Sequence, residues 1–333
     1  MLFVIQPSAM DGAESVLNAL DSILNRVEDN VHNLEIADAE RLETTSWFRQ
    51  SRSGRKEMLE EIAQVSAWRS RRERGPHLRR VDVNDEISAV TAQPMAYTSL
   101  RVLLENAGSD GALVGAALRT FGSQDTLELC FGDPSRLDPP AITMDNAGGS
   151  GELKKLLEKR LKDASDRKRS PRLIVIADSD GEWVGDVKEC AKEIRRMCEE
   201  RNVPCPPLNK RTAENYIPDA VWMAWSEDRN NTSKRPVVAE LLKLSPDQRD
   251  YVRIGDGNSA PWDETNPKAV ELFSDVSTEA FALLKQASLK GRGEHMMIFA
   301  LDEHQAVLTP ATFNSRDPQG DLLSIVRAIE DEL

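Results

Sequence analysis

The sequence predicts an α/β protein: a parallel sheet covered by helices, with a mainly helical N-terminal region and a mixed C-terminal region. Two observations carry this. From Ser99 onward, short apolar runs alternate with stretches of helical period. The runs "RVLL" and "LIVIA" are nearly unbroken in Leu, Ile and Val. Strands exposed on one face alternate apolar and polar residues, whereas strands covered on both faces need not. With 333 residues the chain has room for one large or two to three small domains. The expected division is 1–95 helical, 96–228 α/β, and 229–333 α-rich.

The elements follow in chain order. Residues 11–46 read as helical, because Val16, Leu17, Leu20, Ile23, Leu24 and Val27 recur at i, i+3/i+4. A second helix is expected from about Gly54 to Arg74, with Met58, Ile62, Val65 and Trp68 as its stripe. Gly75-Pro76 stops it. "HLRRVDVNDEISAV" has room for a short strand, and "AQPMAYT" reads as a linker. "SLRVLLEN" is a strand ending in Glu105, and "SDGALVGAALRTFG" a helix closed by Gly122. "LELCFG" reads as a second strand. "PAITMDNAGGSGELKKLLEKRLKDA" gives a strand, a Gly-rich turn and a basic amphipathic helix. "PRLIVIADSDG" is another core strand, "VKECAKEIRRMCEERN" a helix, and "VPCPPL" the end of a further strand. Beyond Asn230, "RPVVAELLKLSPDQRDYV", "PKAVELFSDVSTEAFALLKQASL" and "GDLLSIVRAIEDEL" read as helices, and "EHMMIFALDE" as a strand or helix start.

Composition narrows the function classes. The net charge of −13 speaks against a protein that coats nucleic acid. It leaves room for an enzyme whose acidic side chains hold cations. Basic stretches at 49–80 and 154–172 could face phosphate or simply be solvated helix faces. Cys130, Cys190, Cys198 and Cys205 form no CxxC pair, and the four histidines are scattered, so neither a zinc site nor a disulfide framework is expected. No apolar run approaches membrane-spanning length, and acids follow the first apolar stretch at once. A cytoplasmic protein without a membrane partner is the expectation.

Chemistry therefore falls to carboxylates and lysines. Asp178 and Asp180, at i and i+2, would share one side of an ideal strand. Gly181 permits the chain to turn there. Close carboxylates repel and raise each other's pKa, and a hard divalent cation such as Mg²⁺ or Mn²⁺ relieves this. Taken alone, the pair fits a helix cap and a solvated turn equally well. Glu105 ends a strand that a parallel sheet could set beside the Asp178 strand. Asp110 starts the next helix, where Ser109 or Asp110 also suits an N-cap. "NKRTAENYIPDAVW" adds Lys210, Arg211, Glu214, Asn215 and Tyr216. Glu182 reads as a solvated loop residue.

In this order, "RVLLENAGSDGALV", "LIVIADSDG" and "LNKRTAENYIPDAV" resemble the Toprim domain, and within it the OLD-family nucleases and related phage-defence nucleases. The match spans residues 98–225, and the order of its short motifs carries the weight. Asn106 stands where Gly is usual after the Glu. No GxxxxGK[ST] occurs, so an ATPase partner would be a separate chain. The resemblance implies a metal-dependent nuclease cleaving DNA, with RNA as a second substrate. Glu105, Asp110, Asp178, Asp180 and Glu214 would hold two Mg²⁺ or Mn²⁺ ions. Glu105, Asp178 and Asp180 would act in catalysis, while Asn215 and Tyr216 support the Glu214 loop. Lys210 or Lys234 would stabilise charge developing on the phosphate. A homo-oligomer is compatible with this reading. The alternatives are a non-catalytic adaptor that docks an ATPase, and a primase or topoisomerase. The last two lack an evident zinc module and cleavage domain.

Overall fold

The computed structural model describes residues 1–72, 79–133, 137–166, 171–254, 260–286, 301 and 304–333. It divides into two compact units. The first comprises residues 1–100, 123–143 and 329–333; the second comprises 101–122 and 144–328. Among the described residues no helix is long and apolar enough to cross a membrane.

In the first unit β1 (Leu2–Ile5) lies between β2 (Asn33–Ile36) and β3 (Arg80–Val83), all parallel, with Leu2 opposite both Asn33 and Arg80. Phe3, Val4 and Ile5 are fully buried. The region expected to be mainly helical thus has a sheet of its own. Around it stand α1 (Pro7–Met10), α2 (Glu14–Glu28), α3 (Ser46–Gln50), α4 (Ser53–Arg72) and α5 (Glu86–Ala96). The helix expected over 11–46 stops at Glu28, because Asn30 takes a left-handed turn (φ 59°) into β2. On α4, Met58 and Ile62 pack on the core as expected beside the buried Leu59 and Ala63, but Val65 is 50% exposed. The side chain of Trp68 lies outside the described residues. The expected linker "AQPMAYT" mostly belongs to α5, which runs through Pro94. A proline costs an interior helix bond, but Ala89, Ala92 and Ala96 are buried in this unit's core.

"LELCFG" is also helical: α7 (Gln124–Phe131) starts where the Ser123 hydroxyl accepts the Thr126 N–H. So short an apolar run cannot be assigned from periodicity, and the cap decided it.

The second unit holds most of the other sheet, in the order β5 (Ile142–Asn146), β4 (Leu100–Leu104) and β6 (Leu173–Ile176), with β4 central. β4 and β6 run parallel, Arg101 opposite Leu173. All four residues of β6 and four of the five in β4 are buried, as the unbroken apolar runs predicted. Each fully buried Leu, Ile or Val contributes roughly 1.5–3 kcal/mol. α6 (Ser109–Phe121), α8 (Ser150–Asp166) and α9 (Glu189–Glu200) occupy the connections. Leu153, Leu157 and Ile194 pack on Leu103, Leu173 and Val175. "VPCPPL" is extended but no strand: Pro204, Pro206 and Pro207 lack N–H donors, and the Pro204 carbonyl accepts from Val175 N–H (3.0 Å).

The remaining helices are α10 (Asp219–Glu227), α11 (Arg235–Lys243), α12 (Pro246–Tyr251), α13 (Pro267–Leu272), α14 (Thr278–Gln286), α15 (Pro310–Arg316) and α16 (Asp321–Glu332). The stretch read as one helix over 235–252 breaks at Ser245, which caps α12 with Gln248. Most of "EHMMIFALDE" lies outside the described residues.

Candidate functional site

A parallel sheet sends all its strand ends to one edge. In the second unit that edge delivers Glu105 directly after β4, Asn146 at the end of β5 and Asp178 two residues past β6. Together with Asp110 and Glu214 they line a cleft of about 320 Å³. Asp110 comes from the first turn of α6, and Glu214 from the 3-10 turn Ala213–Tyr216. Gly148 and Gly149 close one side, both with positive φ (91° and 124°), and their N–H groups donate to the Glu105 carbonyl (2.8 and 3.1 Å). No Lys or Arg is among the described lining residues.

Four of the five predicted acids thus meet in one cleft. Asp178 N–H donates to Glu105 Oε1 (3.3 Å). Asp110, 8% exposed, accepts from Asn106 N–H (2.8 Å) and from the Ser109 hydroxyl (3.0 Å). Asn106 Oδ1 in turn accepts from Gly108 N–H (2.9 Å) and Ser109 N–H (3.4 Å). The Asn106 side chain therefore ties down the turn that leads into α6, whose N-cap is Gly108.

Burial, followed by Asp180 and Asp110, pushes the Glu105 carboxyl up to about 7. Burial pushes Asp178 well above the usual carboxylate range, and Asp110, Glu105, Glu214 and Asp180 all push the same way. Two carboxyls raised by burial and by their acidic neighbours mark a site suited to proton or cation exchange.

Asp180 belongs electrostatically to this cluster but does not line the cleft. The shared-side geometry of an ideal strand does not apply, because β6 has ended and Asp180 is left-handed (φ 52°). Its N–H donates to the Arg211 carbonyl (2.9 Å). Burial raises its carboxyl, while Arg211, Lys188 and Arg253 oppose the rise. Glu182, expected to be solvated, is 7% exposed and pairs with Lys188 (3.1 Å) and Arg211 (3.9 Å). The tight loop turns it inward. A Cβ on Gly181 would stand 2.2 Å from the Asp186 carbonyl oxygen. Gly181→Ala is expected to cost roughly 2–3 kcal/mol in urea denaturation; an unchanged midpoint would show that the loop yields freely.

Lys210 is not a lining residue. Its ammonium pairs with Asp250, which also pairs with Arg316, and it lies 5.2 Å from the Tyr216 ring centroid. Burial and the nearby Arg316 lower its pKa. Lys210 thus anchors the 209–216 loop. Lys234 sits in the 3-10 turn before α11 and does not line the cleft either.

The Gly-rich turn "NAGGSG" was a visible signal for the cleft wall, since it follows a strand of the same sheet. Asp250 and Asp321 left no such signal, being 40 residues from Lys210 and 105 from Tyr216 respectively.

Among the described residues, no group of three or more Asp, Glu, His or Cys side chains is arranged to hold a metal ion. The donor chemistry nevertheless fits a hard divalent cation: several carboxylates around one cleft, two of them raised by burial and then by neighbouring acids. No family model, curated protein or solved structure matches this chain.

Proposed function

We propose that the second unit carries a divalent-cation-dependent phosphodiesterase centre of the Toprim kind, acting on DNA and, second to it, RNA. One observation carries the reading. Glu105, Asp110, Asp178 and Glu214, drawn from three separate sequence motifs, line one cleft, where burial and the neighbouring acids disfavour ionisation of Glu105 and Asp178. Clustered acids of this kind are costly to ionise unless a cation offsets their charge.

Glu105, Asp178 and Glu214 would hold Mg²⁺ or Mn²⁺, with Asp110 bracing the Glu105 loop through Asn106. Asp180 would tune their charge from beside the cleft. Such an ion lowers the pKa of bound water and polarises a phosphoryl oxygen. The chain itself positions the carboxylates: the β4 and β6 ends fix two of them, and the Gly148–Gly149 turn keeps the Glu105 backbone in place. A separate ATPase chain is the partner implied by the resemblance, in the setting of phage defence.

Nicking of supercoiled plasmid with Mn²⁺ tests the reading. The wild-type chain is expected to nick and the Asp178→Ala/Asp180→Ala double variant to lose that activity. Equal nicking by both would sink the proposal.

A second reading, the non-catalytic adaptor, draws on one observation. Asp110 and Glu105 already accept protein hydrogen bonds, and among the described residues no three Asp, Glu, His or Cys side chains are arranged to hold a metal ion. Calorimetry with Mn²⁺ separates the two. Heat that disappears in the Asp178 variant favours the nuclease; no heat in the wild type favours the adaptor.

A further inference from the structure

We infer that Asp321, the first residue of α16, is a positioning residue that holds the Glu214 turn at the cleft through Tyr216 and Asn209. The inference rests on the acidic-cleft reading above. Glu214 stands on a 3-10 turn of four residues, too short to be stable alone. Its placement depends on tethers at both flanks.

On one side Asn215 supplies them. Its Oδ1 accepts from Thr212 N–H (3.0 Å), and its Nδ2 donates to the Arg249 (2.8 Å) and Val252 (2.9 Å) carbonyls. On the other side the tether is the Tyr216 hydroxyl. It accepts from Asn209 N–H (2.8 Å) and Lys210 N–H (3.1 Å), and donates to Asp321 Oδ2. Asp321 Oδ2 also accepts from Asn209 N–H (3.0 Å), and Oδ1 from Asn209 Nδ2 (2.8 Å). Both Asp321 oxygens are thus committed to residues 209–216.

Asp321 is 5% exposed and Tyr216 fully buried. A buried carboxylate is costly without a specific role, although the helix N-terminus favours its charge. Capping α16 is not that role, because Asp317 Oδ2 already accepts the Leu322 N–H (2.8 Å). Packing is not that role either, since Leu322, Ile325 and Val326 bury the helix. What remains is the hold on the Glu214 turn.

The test compares Mn²⁺ affinity with melting temperature in the full chain, for wild type, Asp321→Asn, Tyr216→Phe and Leu322→Ala. Asn at 321 keeps the shape but sets an amide donor against Asn209. Asp321→Asn is expected to weaken Mn²⁺ binding roughly 10–100-fold, as loss of a ligand's support does. Tyr216→Phe shifts affinity the same way and stands in should Asp321→Asn not fold. Leu322→Ala removes core packing from the same helix; it lowers the melting temperature but leaves Mn²⁺ affinity unchanged. Unaltered affinity in Asp321→Asn and Tyr216→Phe overturns the positioning role alone. So does an equal loss of affinity in Leu322→Ala at equal loss of melting temperature. A wild-type chain that takes up no Mn²⁺ overturns the cleft reading and this inference together.

Discussion

Asp178→Asn is expected to raise the stability of the metal-free protein by about 1–3 kcal/mol at neutral pH while cutting Mn²⁺-dependent cleavage at least about 100-fold. The two effects share one cause. Asp178 is pushed up by burial and then by four other acids. An amide keeps the shape and the hydrogen-bonding capacity but removes one charge from the cluster. Repulsion within the folded state falls, and the Glu105 carboxyl ionises more readily. The same change removes a hard anionic ligand from the cleft. Urea denaturation in EDTA at pH 7.5 and plasmid nicking with Mn²⁺ read the two halves separately. A variant less stable than wild type in EDTA would contradict the electrostatic account even if nicking were lost.

The second large effect is the pH dependence of metal-free stability. Glu105 ordinarily titrates at 4.5 and is raised to about 7 in the fold. Between these values the folded state holds a proton that the unfolded chain gives up. Stability therefore falls as pH rises from about 4.5 to about 7, and levels off above. The fall is on the order of 2–3 kcal/mol from Glu105. The raised carboxyls of Asp178, Asp180 and Asp317 add to it with the same sign. The lowered carboxyls of Asp85, Glu193, Asp263 and Glu279 act oppositely, but below the ordinary carboxylate pKa, and so outside this window. Urea midpoints at pH 5.5 and 8 in EDTA should show the fall, and Glu105→Gln should flatten it. Mn²⁺ should reverse the slope, because metal ligation needs the deprotonated carboxylates. A flat profile in wild type would mean that the cleft is far better hydrated than its geometry implies.

Much of the second unit was legible because local rules suffice there. Unbroken apolar runs announced β4 and β6, and glycines at their ends announced α6 and α8. Errors fell where a short run fits either element, as in "LELCFG", or where neighbouring helices override a breaker, as at Pro94. Three prolines kept "VPCPPL" from forming a strand, although the Pro204 carbonyl still accepts from Val175 N–H. In the first unit, the strand Leu2–Ile5 went unread because nothing beside it in the sequence signals a partner; β2 and β3 lie about 30 and 80 residues on.

The candidate site divides in the same way. The sequence by itself determined which acids end strands and begin helices, because strand period, caps and turn residues are local properties. It therefore placed Glu105, Asp110 and Asp178 at one sheet edge. Only the tertiary structure decided which of the predicted residues line the cleft. Asp180 turns left-handed and does not line it, Lys210 is held by Asp250, and Glu182 is drawn inward by Lys188 and Arg211. The structure also recruited Asp321, more than a hundred residues beyond the loop it holds. Contacts between residues so far apart follow from packing and the satisfaction of buried polar groups, which leave no periodic trace in the chain.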